Sequence, residues 1–175
     1  MLKPGDPAPP FDLECALDGR TARLSLAKIP SELVLLFFYP RDFSFICPTE
    51  VTGFNNALKE FAAEETSIVG VSIDNVDSHL RWARELGRIG YPMLADPDGS
   101  LARAYGVFDE NEKVALRATF ILDRKRKVAF AASCPLNIGR SVSETLRIVR
   151  ALRTGRLCPA DWTPGVECGP TDREF

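Results

Sequence analysis

Apolar positions along this chain follow two rhythms. Residues 33–39 and 67–73 are short runs in which apolar residues dominate, bounded by turn formers, and they read as buried strands. Elsewhere the apolar positions return every three or four residues. In 49–64, Val51, Phe54, Leu58 and Phe61 fall on one face of a helix. Residues 76–86 read as a second helix, entered from Asp74 and Asn75. Ser141 and Glu144 have capping-box spacing ahead of a final helix over 142–153, whose stripe is Val142, Leu146, Val149 and Leu152. Residues 11–24 predict a β-hairpin around Asp18-Gly19, a favoured turn pair. A short strand over 93–95, a turn over 96–99 and a short helix over 101–105 come next. The pair 117–122 and 128–132 then predicts a second antiparallel hairpin.

The resulting order is β-α-β-α and then β-β-α, with an N-terminal hairpin and an insertion near 93–109. Alternating buried strands and helices argue for an α/β layer structure, although the pattern alone does not fix its topology. Residues 1–160 are expected to form one domain. From Trp162 onward proline, glycine and acidic residues predict a mobile tail, with 161–175 as the C-terminal segment.

At 175 residues the chain suits one domain with a sizeable core. Twenty-two basic against twenty-four acidic residues give a net charge of −2, which offers no general electrostatic reason to bind nucleic acid or an anionic membrane. The basic cluster Arg124-Lys125-Arg126-Lys127 lies between two strand-like runs and reads as a solvated hairpin turn rather than a phosphate-binding patch. The longest apolar run, 33–39, is too short to span a bilayer. The first residues show no apolar signal region, so a cytoplasmic protein is expected. The five cysteines, Cys15, Cys47, Cys134, Cys158 and Cys168, are scattered and odd in number. They suggest selected reactive thiols rather than a disulfide scaffold. The single histidine, His79, reads as a helix-face or packing residue, and neither a metal nor a cofactor is expected.

Cys47 carries the chemistry. It follows a buried strand and a loop and stands at the start of a helix, with Pro48 suited to a first helical position. Free backbone N–H groups and the positive end of the helix dipole favour the thiolate, which is the nucleophilic form.

Residues 38–50 resemble the active-site segment of the peroxiredoxins. The pattern Pro-x-x-x-Thr/Ser-x-x-Cys falls on Pro40, Ser44 and Cys47, with Phe38-Tyr39 leading in and Pro48-Thr49-Glu50 leading out. The resemblance runs from about residue 5 to 165 and is closest to the typical two-cysteine group, which includes the peroxidase subunits of bacterial alkyl hydroperoxide reductase. It implies a thioredoxin-like α/β fold, a mixed sheet with helices on both faces, preceded by the hairpin and followed by a resolving-cysteine segment. It also implies a peroxidase acting on hydrogen peroxide and organic hydroperoxides. In that reading Cys47 attacks one peroxide oxygen, Ser44 hydrogen-bonds peroxide or thiolate, Pro40 shapes and shields the pocket, and Arg117 reaches into it. Glu50 would hold Arg117, and Arg140 would complete an ion-pair network. Blander readings stand beside these: a surface arginine on a strand for Arg117, a turn residue for Ser44, a strand terminator for Pro40, a first-turn glutamate for Glu50 and a solvated residue for Arg140.

Attack leaves Cys47 as a sulfenic acid, which condenses with a second thiol. The resemblance implies Cys158 for that role. Its segment Leu157-Cys158-Pro159 matches the family's C-terminal motif, with leucine where valine is usual. The partner cysteine would come from the other subunit of an antiparallel homodimer, with a ring of dimers as a larger assembly. Cys168 is an alternative resolving thiol, and Cys134 reads as a small buried one. The chain has no Cys-x-x-Cys, so a thioredoxin-like or flavoprotein disulfide reductase is the expected partner. Residues 87–92 stand where sensitive members carry Gly-Gly-Leu-Gly, which predicts resistance to overoxidation. A redox-switched holdase assembly is the alternative from another functional class.

Overall fold

The computed structural model describes residues 1–171. Strands β1 (Asp12–Leu17) and β2 (Arg20–Ser25) form the first hairpin. Asp18 and Gly19 between them take φ of 52° and 75°, the paired positive values that a type I′ turn requires. The chain continues through β3 (Leu33–Phe38), α1 (Cys47–Asn56), α2 (Leu58–Ala63), β4 (Thr66–Ser72), α3 (Val76–Glu85), β5 (Met93–Ala95) and α4 (Ser100–Ala104). It ends with the small ribbon β6 (Phe108–Asp109) and β7 (Val114–Ala115), the hairpin β8 (Arg117–Leu122) and β9 (Val128–Cys134), and α5 (Val142–Thr154).

Seven strands make one mixed sheet in the order β2-β1-β5-β4-β3-β8-β9. β3 lies at its heart, parallel to β4 and antiparallel to β8. Both faces of β3 are covered, which is why its sequence is apolar at every position rather than at alternate ones. Val34, Leu36 and Phe38 point into one core layer with Leu101, Tyr105 and Phe120. Leu35, Phe37 and Tyr39 point into the other, with residues of α1, α2, α3 and α5. Helices thus cover both faces, but unequally: four pack on one side and α4 on the other. Gly70 of β4 stands opposite Phe37, and a Cβ there would lie 3.0 Å from the Phe37 ring, so glycine makes room for that ring in the layer beneath the site.

The structure refines several expectations. The helix over 49–64 is two helices that begin at Cys47 and break at Ala57, where the backbone leaves helical values. The side-chain amide of Asn55 is taken up there by the backbone of Arg88 and Gly90. Periodicity does not register the break, because Val51, Phe54 and Phe61 stay buried on both sides of it. Half of the capping box forms: Ser141 accepts from the Glu144 N–H, but the Glu144 carboxylate pairs with Arg147. Leu152 falls outside the buried stripe of α5 and is 36% exposed. The basic turn is not wholly solvated, since the Arg126 guanidinium donates to the carbonyls of Ile29 and Ser31.

The C-terminal segment, as far as Thr171, folds back. Trp162 is buried, its indole N–H donates to the Val166 carbonyl, and its own carbonyl accepts from Arg147 of α5. Leu157 and Gly169 add backbone bonds, Leu157 N–H to Pro170 and Gly169 N–H to Leu157. The predicted mobile tail is therefore a closed loop over these residues, and 172–175 lie outside the described ones. Among the described residues no helix is long and apolar enough to cross a membrane.

Candidate active site

The loop from Tyr39 to Ile46 leaves the carboxyl end of β3 and delivers Cys47 to the first position of α1, with Pro48 second. That is one residue later for the proline than the sequence predicts. It puts the thiol itself at the helix N-terminus, among backbone N–H groups that have no partner within the helix. Ser44 turns its hydroxyl oxygen toward the Cys47 N–H, 3.4 Å away. Its hydroxyl hydrogen is left to donate elsewhere. Pro40 is half-buried at the start of this loop.

Cys47 is fully buried, and its Sγ accepts from Arg117 Nη1 at 3.3 Å. Arg117 opens β8, and its side chain is 4% exposed, not the solvated group of a surface strand. The same Nη1 donates to Glu50 Oε2 at 2.6 Å, while Nε donates to the Leu136 carbonyl at 2.9 Å. Glu50 lies one turn beyond Cys47 on α1 and is equally buried. Its other oxygen accepts from both the backbone N–H and Nε of Arg140 at 2.9 Å. The Arg140 fork also donates to the carbonyls of Phe38 and Ala118, and its guanidinium sits 5.3 Å from the centre of the Phe37 ring. The structure therefore brings Cys47, Ser44, Glu50, Arg117 and Arg140 into one cluster.

Charge counting shows what this cluster favours. Two guanidiniums face one carboxylate, so the cluster carries one positive charge in excess beside Sγ. Burial pushes the Glu50 carboxyl up, but the Arg140 and Arg117 guanidiniums outweigh burial and hold it below the usual carboxylate range. The anion between the arginines is thus fixed. A donor fork held by Glu50 and Leu136 is preorganised to stabilise charge on a sulfur or on a departing oxygen.

Sequence reasoning missed the device that anchors the loop. Asp42 is buried and accepts from Tyr39 Oη at 2.9 Å and from Ser78 Oγ at 2.8 Å, and it meets His79 Nδ1 at 2.8 Å. The far nitrogen of His79 faces the Leu94 carbonyl at 3.1 Å. The lone histidine is therefore a packing residue as read, but it is also a tie between α3, β5 and the active-site loop. Asp74 adds a second tie by accepting from the Asp42 N–H. The available signal was an acidic residue within a loop rich in aromatic and apolar residues. Every buried side-chain nitrogen and oxygen among the described residues has a partner.

Of the remaining thiols, only Cys134 borders this cluster. All five cysteines are free. Cys15 is buried in β1, and burial pushes its thiol up. Cys134 ends β9 opposite Arg117, and it is half-buried rather than buried. It lines a hollow of about 250 Å³ behind the two arginines. Cys158 follows α5, half-buried beside Thr154 Oγ1, with the Cys168 sulfur 3.8 Å away. Burial, and then the hydrogen bond and charge of Cys158, push the Cys168 thiol up. Among the described residues no bond joins Cys47 to Cys158 within the chain.

Residues 4–131 match the AhpC/TSA family model. The chain is 41% identical over 171 residues to the peroxiredoxin prdx-2 of Caenorhabditis elegans, covering 92% of this chain and 85% of that one. It is 40% identical over 170 residues to the putative peroxiredoxin YkuU of Bacillus subtilis, covering 92% and 94%. The fold superposes on the reduced 2-Cys peroxiredoxin of Plasmodium vivax with a TM-score of 0.91, at 32% identity over 96% of this chain and 93% of that one.

Proposed function

From the premise that this chain belongs to the AhpC/TSA family and is a thiol-dependent peroxidase, we propose that Cys47 is its peroxide-reducing nucleophile and Cys158 its resolving thiol. The contact of Arg117 with the Cys47 sulfur is the observation that carries the first assignment. The Cys47 thiolate attacks one peroxide oxygen, and the O–O bond breaks. The second oxygen leaves with the electron pair and takes up a proton. Arg117 stabilises both the thiolate and the developing charge, Ser44 donates its hydroxyl, and Pro40 restricts water at the loop. Glu50 and Arg140 are positioning residues that act through Arg117.

The resulting sulfenic acid condenses with Cys158 of a second subunit, releasing water. A buried Cys47 supports this order of events. A disulfide needs Cα atoms about 4.4–6.8 Å apart, so the first turn of α1 must unwind to release the sulfur. Subunits associate as an antiparallel homodimer and further as a ring, a reading supported by Phe45, whose side chain is 96% exposed beside the site. The single domain is 1–160, with 161–175 carrying the C-terminal segment. The protein works in the cytoplasm, where thiols stay reduced, and a thioredoxin-like or flavoprotein disulfide reductase regenerates it.

The test is peroxide consumption at catalytic protein concentration with a dithiol reductant. Wild type turns over and Cys47→Ser does not. Cys158→Ser reduces peroxide once but forms no linked dimer on a non-reducing gel. Full turnover by Cys47→Ser overturns the assignment.

A further inference from the structure

We propose that Cys168 forms an intrachain redox pair with Cys158, taking the disulfide over from Cys47 and presenting it to the external reductant. This rests on the assignment of Cys47 and Cys158 given above and extends it by one step. The two sulfurs lie 3.8 Å apart. A disulfide measures about 2.0 Å, so closing the pair needs a shift of under about 2 Å.

That proximity is built into the segment. Cys168 lies ten positions beyond Cys158, and the chain between them is closed on both sides. Leu157 donates to the Pro170 carbonyl at 3.0 Å, and Gly169 donates to the Leu157 carbonyl at 2.8 Å. Arg156 reaches across to the carbonyls of Gly169 and Cys168. Inside the loop the Trp162 indole holds the Val166 carbonyl at 2.9 Å. The residues flanking each cysteine are thus tied to those flanking the other.

The step is a thiol–disulfide exchange. Cys168 gives its proton to solvent, and its thiolate attacks the Cys158 sulfur of the Cys47–Cys158 bridge. The Cys158–Cys168 bond forms, the Cys158–Cys47 bond breaks, and Cys47 leaves with the electron pair as a thiolate. No oxidant beyond peroxide is needed, and a dithiol later reduces the new bridge. The direction follows from the leaving sulfur. Cys47 returns to a pocket where Arg117 meets it at 3.3 Å, and a stabilised thiolate departs more readily. Access follows as well: Cys47 is fully buried in its pocket, whereas Cys158 and Cys168 are half-exposed, where a reductase can reach them.

The relay changes what happens when no reductant is present. Full-length wild type and Cys168→Ser are given one and then a second equivalent of peroxide, with dimedone present during the second. Samples are blocked with N-ethylmaleimide at intervals, run on non-reducing gels and mapped by mass spectrometry. In wild type, linked dimers are expected to form and then revert to monomers as a Cys158–Cys168 peptide pair accumulates. The second equivalent is consumed, and Cys47 is labelled by dimedone. In Cys168→Ser the dimers persist and the second equivalent is left over. Consumption of the first equivalent by both proteins reports a folded peroxide pocket. Dimers that persist equally in wild type, with no Cys158–Cys168 pair, overturn the relay while leaving Cys158 as the resolving thiol. Absence of a Cys47–Cys158 pair from Cys168→Ser overturns the underlying assignment, and the relay with it.

Discussion

Cys47 and Cys158 carry the same thiol in opposite surroundings. Cys47 is sealed beyond the carboxyl end of the inner strand β3, touched by a guanidinium that is itself clamped by Glu50 and a backbone carbonyl. Cys158 sits on a loop beyond the last helix, half-exposed, with hydroxyl, carbonyl and thiol neighbours and, among the described residues, no side-chain charge hydrogen-bonded to it. The contrast separates two tasks. Attack on a peroxide gains from fixed dipoles that need no rearrangement as charge moves, so the first thiol is rigidly placed. Resolution and exchange require sulfurs to travel, and the second thiol is half-exposed with only long contacts of 3.4–3.8 Å about it. Rigidity costs the first region the ability to meet its partner without unfolding a turn, and the second avoids that cost.

This contrast can be broken first at Glu50. Glu50→Gln removes the anion between two buried arginines, and losing one member of a buried ion pair costs about 3–5 kcal/mol. Chemical denaturation should show a loss of that order, and a loss near zero would mean the arginines are not held by charge. Next, Arg117→Met removes one preorganised donor, which is worth about 10²–10³ in rate. Stopped-flow oxidation of Cys47 should slow accordingly, while alkylation of Cys158 and Cys168 in the reduced protein stays unchanged. Arg117→Lys should rescue little, because one ammonium cannot reproduce the fork that meets Sγ, Glu50 and Leu136 together.

Acid tests the same cluster more gently. Folding depresses the Glu50 carboxyl, so its contribution to stability is fully present above the ordinary glutamate value of about 4.3 and is lost as pH falls through the lower folded value. The stability difference between wild type and Glu50→Gln should therefore shrink below about pH 4. A constant difference across that range would place the effect of the substitution elsewhere. The smallest effect on peroxide is expected from Trp162→Ala, which loosens the second region alone. Separate sites act almost independently, so Cys47 oxidation should stay within about twofold while formation of the Cys158–Cys168 pair slows. A large drop in the first rate would show that the two regions are coupled.

Local chemistry was legible in the sequence wherever one segment decides the outcome. The Asp18-Gly19 turn, the Asn75 and Ser141 caps and the fully apolar β3 all announce themselves in a few residues. The cluster around Cys47 was legible only through family resemblance. Arg117, Glu50 and Arg140 come from a strand, a helix and a loop, and no periodicity links them. The tie from Asp42 to His79 stayed hidden for the same reason, since its ends lie 37 positions apart in the sequence. The two-residue strands β6 and β7 are too short to leave a pattern. Composition misdescribed the C-terminal segment because one buried tryptophan and a few backbone bonds outweigh its proline and glycine content.

Cys15 takes no part in this chemistry, yet its setting makes it useful. It is 1% exposed, paired across β1 with Ala22 and Leu94. Its labelling by a thiol reagent must wait for the sheet to open. In the same mass map that follows the working sulfurs, its modification rate becomes a clock for global opening, so each variant carries its own internal stability gauge.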